Sequence, residues 1–154
     1  DKEVTWMPSY GPEMRGGTAN VTVIISDNKI SSPILSKFDI AVILNQQSMD
    51  KFESMVKPGG LLLYDPNGIT HHPTRKDINI CSIEAAEESA LMGNTKAFNM
   101  VVLGALLKKK PIVTMDSVIK GLKKSLPARH HSLIPMNEEA IKVGMEKVKD
   151  INTL

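Results

Sequence analysis

A chain of 154 residues with 42% hydrophobic side chains has the length to bury one core without disulfide staples. Its 19 basic and 17 acidic residues nearly cancel and are scattered, which excludes the one-signed patch of a nucleic-acid or membrane-surface binder. The single cysteine, Cys81, excludes an internal disulfide and a cysteine-built metal site, and it suits a reducing cytoplasm.

In chain order, the first run is "DKEVTW", strand-like almost from its first residue and without a leading methionine. It reads as the remainder of a longer polypeptide or as a processing boundary. The stretch "SYGPEMRGGTAN", Ser9 to Asn20, follows. Pro12 stiffens this loop, Gly16 and Gly17 permit positive φ and close approach of another backbone, and Glu13 and Arg15 are presented between them. Arg15 could grip a carboxylate or phosphate with its planar fork. The plainer reading is a surface loop with a glycine-built turn.

Four short runs then predict strands: "VTVII" (Val21 to Ile25), "IAVIL" (Ile40 to Leu44), "LLLY" (Leu61 to Tyr64) and "INICSI" (Ile78 to Ile83). Most lack polar alternation, as expected of strands covered on both faces. Between the second and third, "QSMDKFESMVKPGG" predicts a helix with Met49, Phe52, Met55 and Val56 on one face, closed by Pro58 and Gly59-Gly60. Strand, helix, strand implies a right-handed crossover and a doubly wound layer.

The last third is expected to be helical. One helix starts after an Asn94 cap, runs through "TKAFNMVVLGALLKKK" with Lys108 to Lys110 in its last turn, and stops at Pro111. Its apolar run, Ala97 to Leu107, is about half the length that crosses a bilayer. A second helix follows Thr114 through about Leu126, and a third starts at Asn137, with Glu138 and Glu139 in its first turn, and runs nearly to the end. The fold expected is α/β: three layers, α/β/α, around a mostly parallel sheet, with a helical C-terminal third. Residues 1–154 are expected to form one domain, with neither internal repeat nor flexible linker.

Few residues could carry chemistry. His71-His72 and His130-His131 are adjacent pairs, whose members point to opposite sides of an extended chain, so neither pair makes a ligand set. Asn45, Gln46, Gln47 and Ser48 follow a predicted strand directly, where open α/β sheets bind ligands. They either hold a polar ligand or a partner backbone, or simply cap the next helix. Asp65-Pro66-Asn67-Gly68 is an ordinary turn sequence. The usual phosphate-loop patterns are absent from these residues.

Four blocks in order, "SYGPEMRGGTAN", "NQQSMDKF", "VKPGGLLLYDPNGI" and "GNTKAFNMVVLGALL", closely resemble the gamma subunits of 2-oxoacid:ferredoxin oxidoreductases. The resemblance runs from about Val4 to Ala105 and, more loosely, through "NEEAIKVGMEKV". Such subunits usually begin with a strand and a G-x-G-G-Q-G loop, which the present residues lack. The resemblance implies a multi-subunit enzyme, familiar from anaerobic metabolism, that oxidatively decarboxylates a 2-oxoacid to an acyl-coenzyme A and reduces ferredoxin. It places thiamine diphosphate, magnesium and 4Fe-4S clusters on alpha and beta partners and, in complexes that have one, a delta partner, with coenzyme A as co-substrate. This chain would then serve assembly and active-site shaping, with Glu13, Arg15, Gly16, Gly17 and Asn45 to Ser48 as ligand or interface candidates. The alternative is a free-standing α/β module for a nucleotide or phosphorylated ligand, using Arg15 and the Asn45 to Ser48 loop.

Overall fold

The computed structural model describes residues 2–10 and 19–154. Among the described residues there are two sheets. Strands β1 (Glu3–Tyr10) and β2 (Ala19–Ser26) form one of them, an antiparallel ribbon that pairs with no other described strand. Strands β3 (Phe38–Ile43), β4 (Val56–Tyr64), β5 (Asn79–Ser82) and β6 (Lys149–Asn152) form a second sheet in that order. The pairs β3–β4 and β4–β5 are parallel, whereas β6 runs antiparallel to β5.

Parallel neighbours need a connection that returns the chain to the starting edge, and α1 (Gln46–Phe52) supplies it between β3 and β4. Because side chains alternate across a strand, the run "LLLY" feeds two cores. Leu61 and Leu63, with Cys81 and Ile83, face the helical layer built by α2 (Ala85–Leu91), α3 (Phe98–Lys109) and α5 (Ile134–Lys147), meeting Val101, Ala105 and Ala140. Leu62 and Tyr64, with Ala41, Ile43, Ile78 and Ile80, face Met49 and Phe52 of α1. Each such side chain, fully buried, contributes about 1.5–3 kcal/mol. The result is the expected α/β/α layering around a mostly parallel sheet.

Four sequence expectations are corrected. "VTVII" is a strand, but it belongs to the antiparallel ribbon, and its residues alternate exposed and half-buried instead of being covered on both faces. The helix expected to be closed by Pro58 and Gly59-Gly60 ends at Phe52, passes a 3-10 turn at Glu53–Met55, and gives way to β4 at Val56. Lys57 to Gly60 form an irregular segment of that strand. The ladder advances two residues on β3, Phe38 to Ile40, while β4 advances from Val56 to Leu61. Pro58 lacks a ladder donor, Gly59 takes φ +75°, and the Gly59 N–H donates to the Asp77 carbonyl at 2.7 Å.

The third helix expected from Asn137 starts a turn earlier, at Ile134, because Pro135 sits in its first turn, where a missing N–H costs nothing. It stops at Lys147, and the chain end forms β6 instead of more helix. The short helix α2 was not expected at all. By contrast, Asn94 caps a 3-10 turn leading into α3, and Thr114 accepts from the Ser117 N–H to cap α4 (Met115–Ser125). His130 and His131 lie in the 3-10 turn Ala128–Leu133.

Candidate functional site

Strands β3 and β4 end side by side, so the segments leaving their carboxyl ends share one corner of the sheet. Asn45 is extended (φ −157°, ψ 162°) and its Oδ1 accepts from the Ser48 N–H at 2.8 Å, which satisfies one orphan donor of α1. Gln46 reaches across to the other segment. Its Oε1 accepts from the backbone N–H of Thr70 (2.8 Å) and His71 (2.9 Å) and from the Thr70 hydroxyl (3.0 Å), while its Nε2 donates to Asp50 at 2.7 Å. Gln47 is exposed and Ser48 half-buried on the same first turn of α1.

The second segment is anchored by Asp65, a buried carboxylate. One oxygen accepts from the Asn67 N–H at 2.8 Å and the other from the Ala86 N–H at 3.0 Å, so a single side chain closes the turn after β4 and ties it to the start of α2. Gly68 packs so closely under Leu44 that a Cβ there would strike the Leu44 carbonyl. Tyr64 is buried, which raises its phenol pKa, and its hydroxyl lies 3.2 Å from His72 Nδ1. The corner thus presents His71, His72, Gln47 and Ser48 on a rigid backing of Asn45, Gln46 and Asp65. It offers neutral donors and acceptors and two imidazoles, a surface suited to polar recognition.

Cys81 belongs to the core on the helical-layer side of the sheet, not to the one that holds Tyr64. Burial, with a bond to Asp150 at 3.3 Å, pushes its thiol up to about 11, so it is not a nucleophile near neutrality. Asp150 in turn is held below the usual carboxylate range by Lys109, 2.6 Å away. Among the described residues, no group of three His, Cys, Asp or Glu side chains could hold a metal ion. No described helix is long and apolar enough to cross a membrane. Glu13, Arg15, Gly16 and Gly17 lie outside the described residues.

The sequence model for pyruvate ferredoxin/flavodoxin oxidoreductases matches residues 1–147. The chain belongs to that family. Among its relatives, subunit VorA of the ketoisovalerate oxidoreductase of Methanothermobacter thermautotrophicus is 30% identical over 149 residues, covering 97% of this chain and 31% of VorA. The 2-oxoglutarate synthase subunit KorC of Methanocaldococcus jannaschii is 37% identical over 132 residues, covering 82% of this chain and 69% of KorC. A solved keto/oxoacid ferredoxin oxidoreductase gamma subunit from Geobacter sulfurreducens superposes with TM-score 0.74 at 27% identity, over 95% of this chain and 80% of that one. The chain spans less than a third of the ketoisovalerate proteins it matches.

This family member also carries a surface that the sequence reading overlooked. The ribbon register pairs Val4 with Ile25, Trp6 with Val23 and Pro8 with Val21, so all six share one face. Trp6 is 66% exposed and Val4 61%, with Val21 and Val23 near half. The signal was available as period-two alternation in "EVTWMPSY" and "ANVTVIIS", which half-buried ribbons show and buried parallel strands do not.

Proposed function

We propose that this chain is the gamma-type component of a multi-subunit 2-oxoacid:ferredoxin oxidoreductase, in which it serves assembly and shapes the active site. The family match across residues 1–147 carries the reading, and the similarity to KorC and to the Geobacter gamma subunit supports it. The free-standing module for a phosphorylated ligand is not favoured by these relatives.

The complex would convert a 2-oxoacid and coenzyme A to an acyl-coenzyme A, passing electrons to ferredoxin, in the cytoplasm. Thiamine diphosphate would stabilise the carbanion left by decarboxylation, and iron-sulfur clusters would carry the electrons. The residues of this chain do not fit either group. Its one cysteine cannot ligate a four-cysteine cluster, and the described residues offer no carboxylate set for the magnesium that accompanies a diphosphate. Both cofactors are therefore assigned to alpha, beta or delta partners. For this chain we assign Glu13, Arg15, Gly16 and Gly17, together with the Asn45–Ser48 corner, to contacts with partners or coenzyme A. Residues 1–154 are assigned to one α/β domain.

The test is purification of the tagged chain from its source. Iron and thiamine diphosphate should arrive with its partners, and the chain stripped of partners should reduce no dye in the presence of a 2-oxoacid. Activity from the isolated chain, supplied only with thiamine diphosphate and magnesium, would overturn the proposal.

A further inference from the structure

We infer that the apolar face of the β1–β2 ribbon is the docking surface for the partner component that corresponds to the part of VorA lying beyond this chain's match. The inference rests on the assembly reading above and adds to it the surface by which the partner is held.

Three observations carry it. The face is a ladder of three cross-strand pairs, Val4–Ile25, Trp6–Val23 and Pro8–Val21, without a charged side chain among them. The opposite face, with Thr5–Ile24, Met7–Thr22 and Ser9–Asn20, is more polar and yet mostly half-buried, the reverse of what an isolated ribbon would adopt. The more apolar side is therefore the more exposed of the two. Val4, Trp6, Val21, Val23 and Ile25 are all exposed on it, and a contiguous exposed apolar patch of this kind marks interaction sites on soluble proteins.

The ribbon also pairs with no strand of the four-stranded sheet. A two-stranded ribbon is marginal alone in water, so a surface that covers its apolar side would stabilise it. Trp6 is the anchor type found at the centres of interfaces, a large rigid ring with few rotamers.

The occupant follows from chain continuity. In VorA the matching segment is 31% of one polypeptide, so each copy of the unit there has the rest of that chain as a fixed neighbour at one-to-one stoichiometry. The face lacks charge, so the complementary surface on that neighbour should be apolar at its centre and polar only at its rim. A second copy of this chain would meet the same ladder only in a symmetric pair, for which the relatives give no fixed neighbour.

A photoreactive benzophenone side chain placed at position 23 in the full chain, within the complex purified from its source, reads the occupant directly. The expected adduct joins the component homologous to the rest of VorA, and the same probe at Thr22 gives none. In parallel, the double variant Trp6→Ser/Val23→Thr should co-purify with at least tenfold less thiamine diphosphate per chain, with an unchanged helical circular-dichroism signal. An adduct to a second copy, to residues within this matched segment, or none at all overturns the inference. So does a double variant that assembles as well as the wild type. A wild-type chain that brings down no thiamine diphosphate would fail the assembly reading itself, so the two failures are distinguishable.

Discussion

Gly104 of α3 and Gly144 of α5 form a reciprocal contact. A Cβ built on Gly104 would fall on the Ile141 carbonyl of α5, and one built on Gly144 would fall on the Val101 carbonyl of α3. The helices touch backbone to backbone at this crossing, and both glycines are buried. The atoms in the way are main-chain carbonyls, which cannot rotate aside as a side chain would. Gly104→Leu should therefore force the helices apart and cost at least about 1–3 kcal/mol, lowering Tm by roughly 3–10 °C. Gly121 of α4 is the contrast: nothing lies within 4 Å of its would-be Cβ. Gly121→Ala should be neutral or stabilising by about 0.5–1 kcal/mol. Gly104→Leu should lower the melting temperature while Gly121→Ala leaves it unchanged or raises it, and equal shifts would contradict the contact.

Asp65 holds two backbone donors at once. Asp65→Ala leaves the N–H groups of Asn67 and Ala86 without that acceptor in a part-buried setting, at a cost of about 1–3 kcal/mol. Asp65→Asn keeps one acceptor oxygen and should lose less. Urea midpoints rank the three proteins, and an Asn variant weaker than the Ala variant would contradict this account.

Gln46 should govern the turn that carries the first histidine pair. With its Oε1 removed in Gln46→Ala, the amides of Thr70 and His71 lose their acceptor, and their hydrogen exchange should accelerate about tenfold or more. Global stability should fall by only about 0.5–1.5 kcal/mol. Exchange that rises uniformly over the sheet would instead show a general loss of fold.

Cys81 should resist alkylation at pH 8 in the folded protein and react once the chain is unfolded, because its thiol is pushed up to about 11. The sign of the linkage is fixed by that direction. In the unfolded chain the thiol loses its proton near its ordinary value of about 9, whereas the folded chain retains it. Stability from this group is therefore full below about pH 9 and declines from there toward pH 11. Cys81→Ala should flatten that part of the pH profile, and an unchanged slope would remove the thiol as its cause.

Arg15 separates the turn from the interface. If it pairs with a carboxylate or phosphate in the assembled complex, Arg15→Ala should weaken binding by about 2–5 kcal/mol, and Arg15→Lys should restore little because a point charge cannot reproduce the planar fork. Assembly by size and the apparent KM for coenzyme A, measured separately, tell a partner contact from a ligand contact. Wild-type behaviour in both would return "GPEMRGG" to a turn.

The sequence alone determined much of the architecture. The apolar run "LLLY" had to be a strand covered twice, since no polar face is available to turn toward water, whereas "IAVIL", read the same way, lies at the sheet edge and leaves Val42 and Leu44 partly exposed. The cap at Asn94 and the helix start after Thr114 were legible because they rest on local hydrogen bonds within two or three residues. The family could be read from four ordered blocks. The candidate corner was legible only as a position, the residues after a strand. That Gln46 would bind the backbone of Thr70 and His71, 24 and 25 residues away, depended on how the two strands were laid side by side.

Tertiary structure decided the rest, and non-local pairing is the reason. "KPGG" reads locally as a helix stop, yet parallel pairing with β3 and the Gly59–Asp77 bond draw it into a strand. "VTVII" reads as a buried parallel strand, yet its antiparallel register with β1 turns Val21, Val23 and Ile25 outward with Trp6. "KDIN" has no strong preference of its own, and becomes β6 through its ladder to β5 and the Asp150 bonds to Cys81 and Lys109. In each case the deciding partner lies far along the chain, where neither propensity nor periodicity carries information.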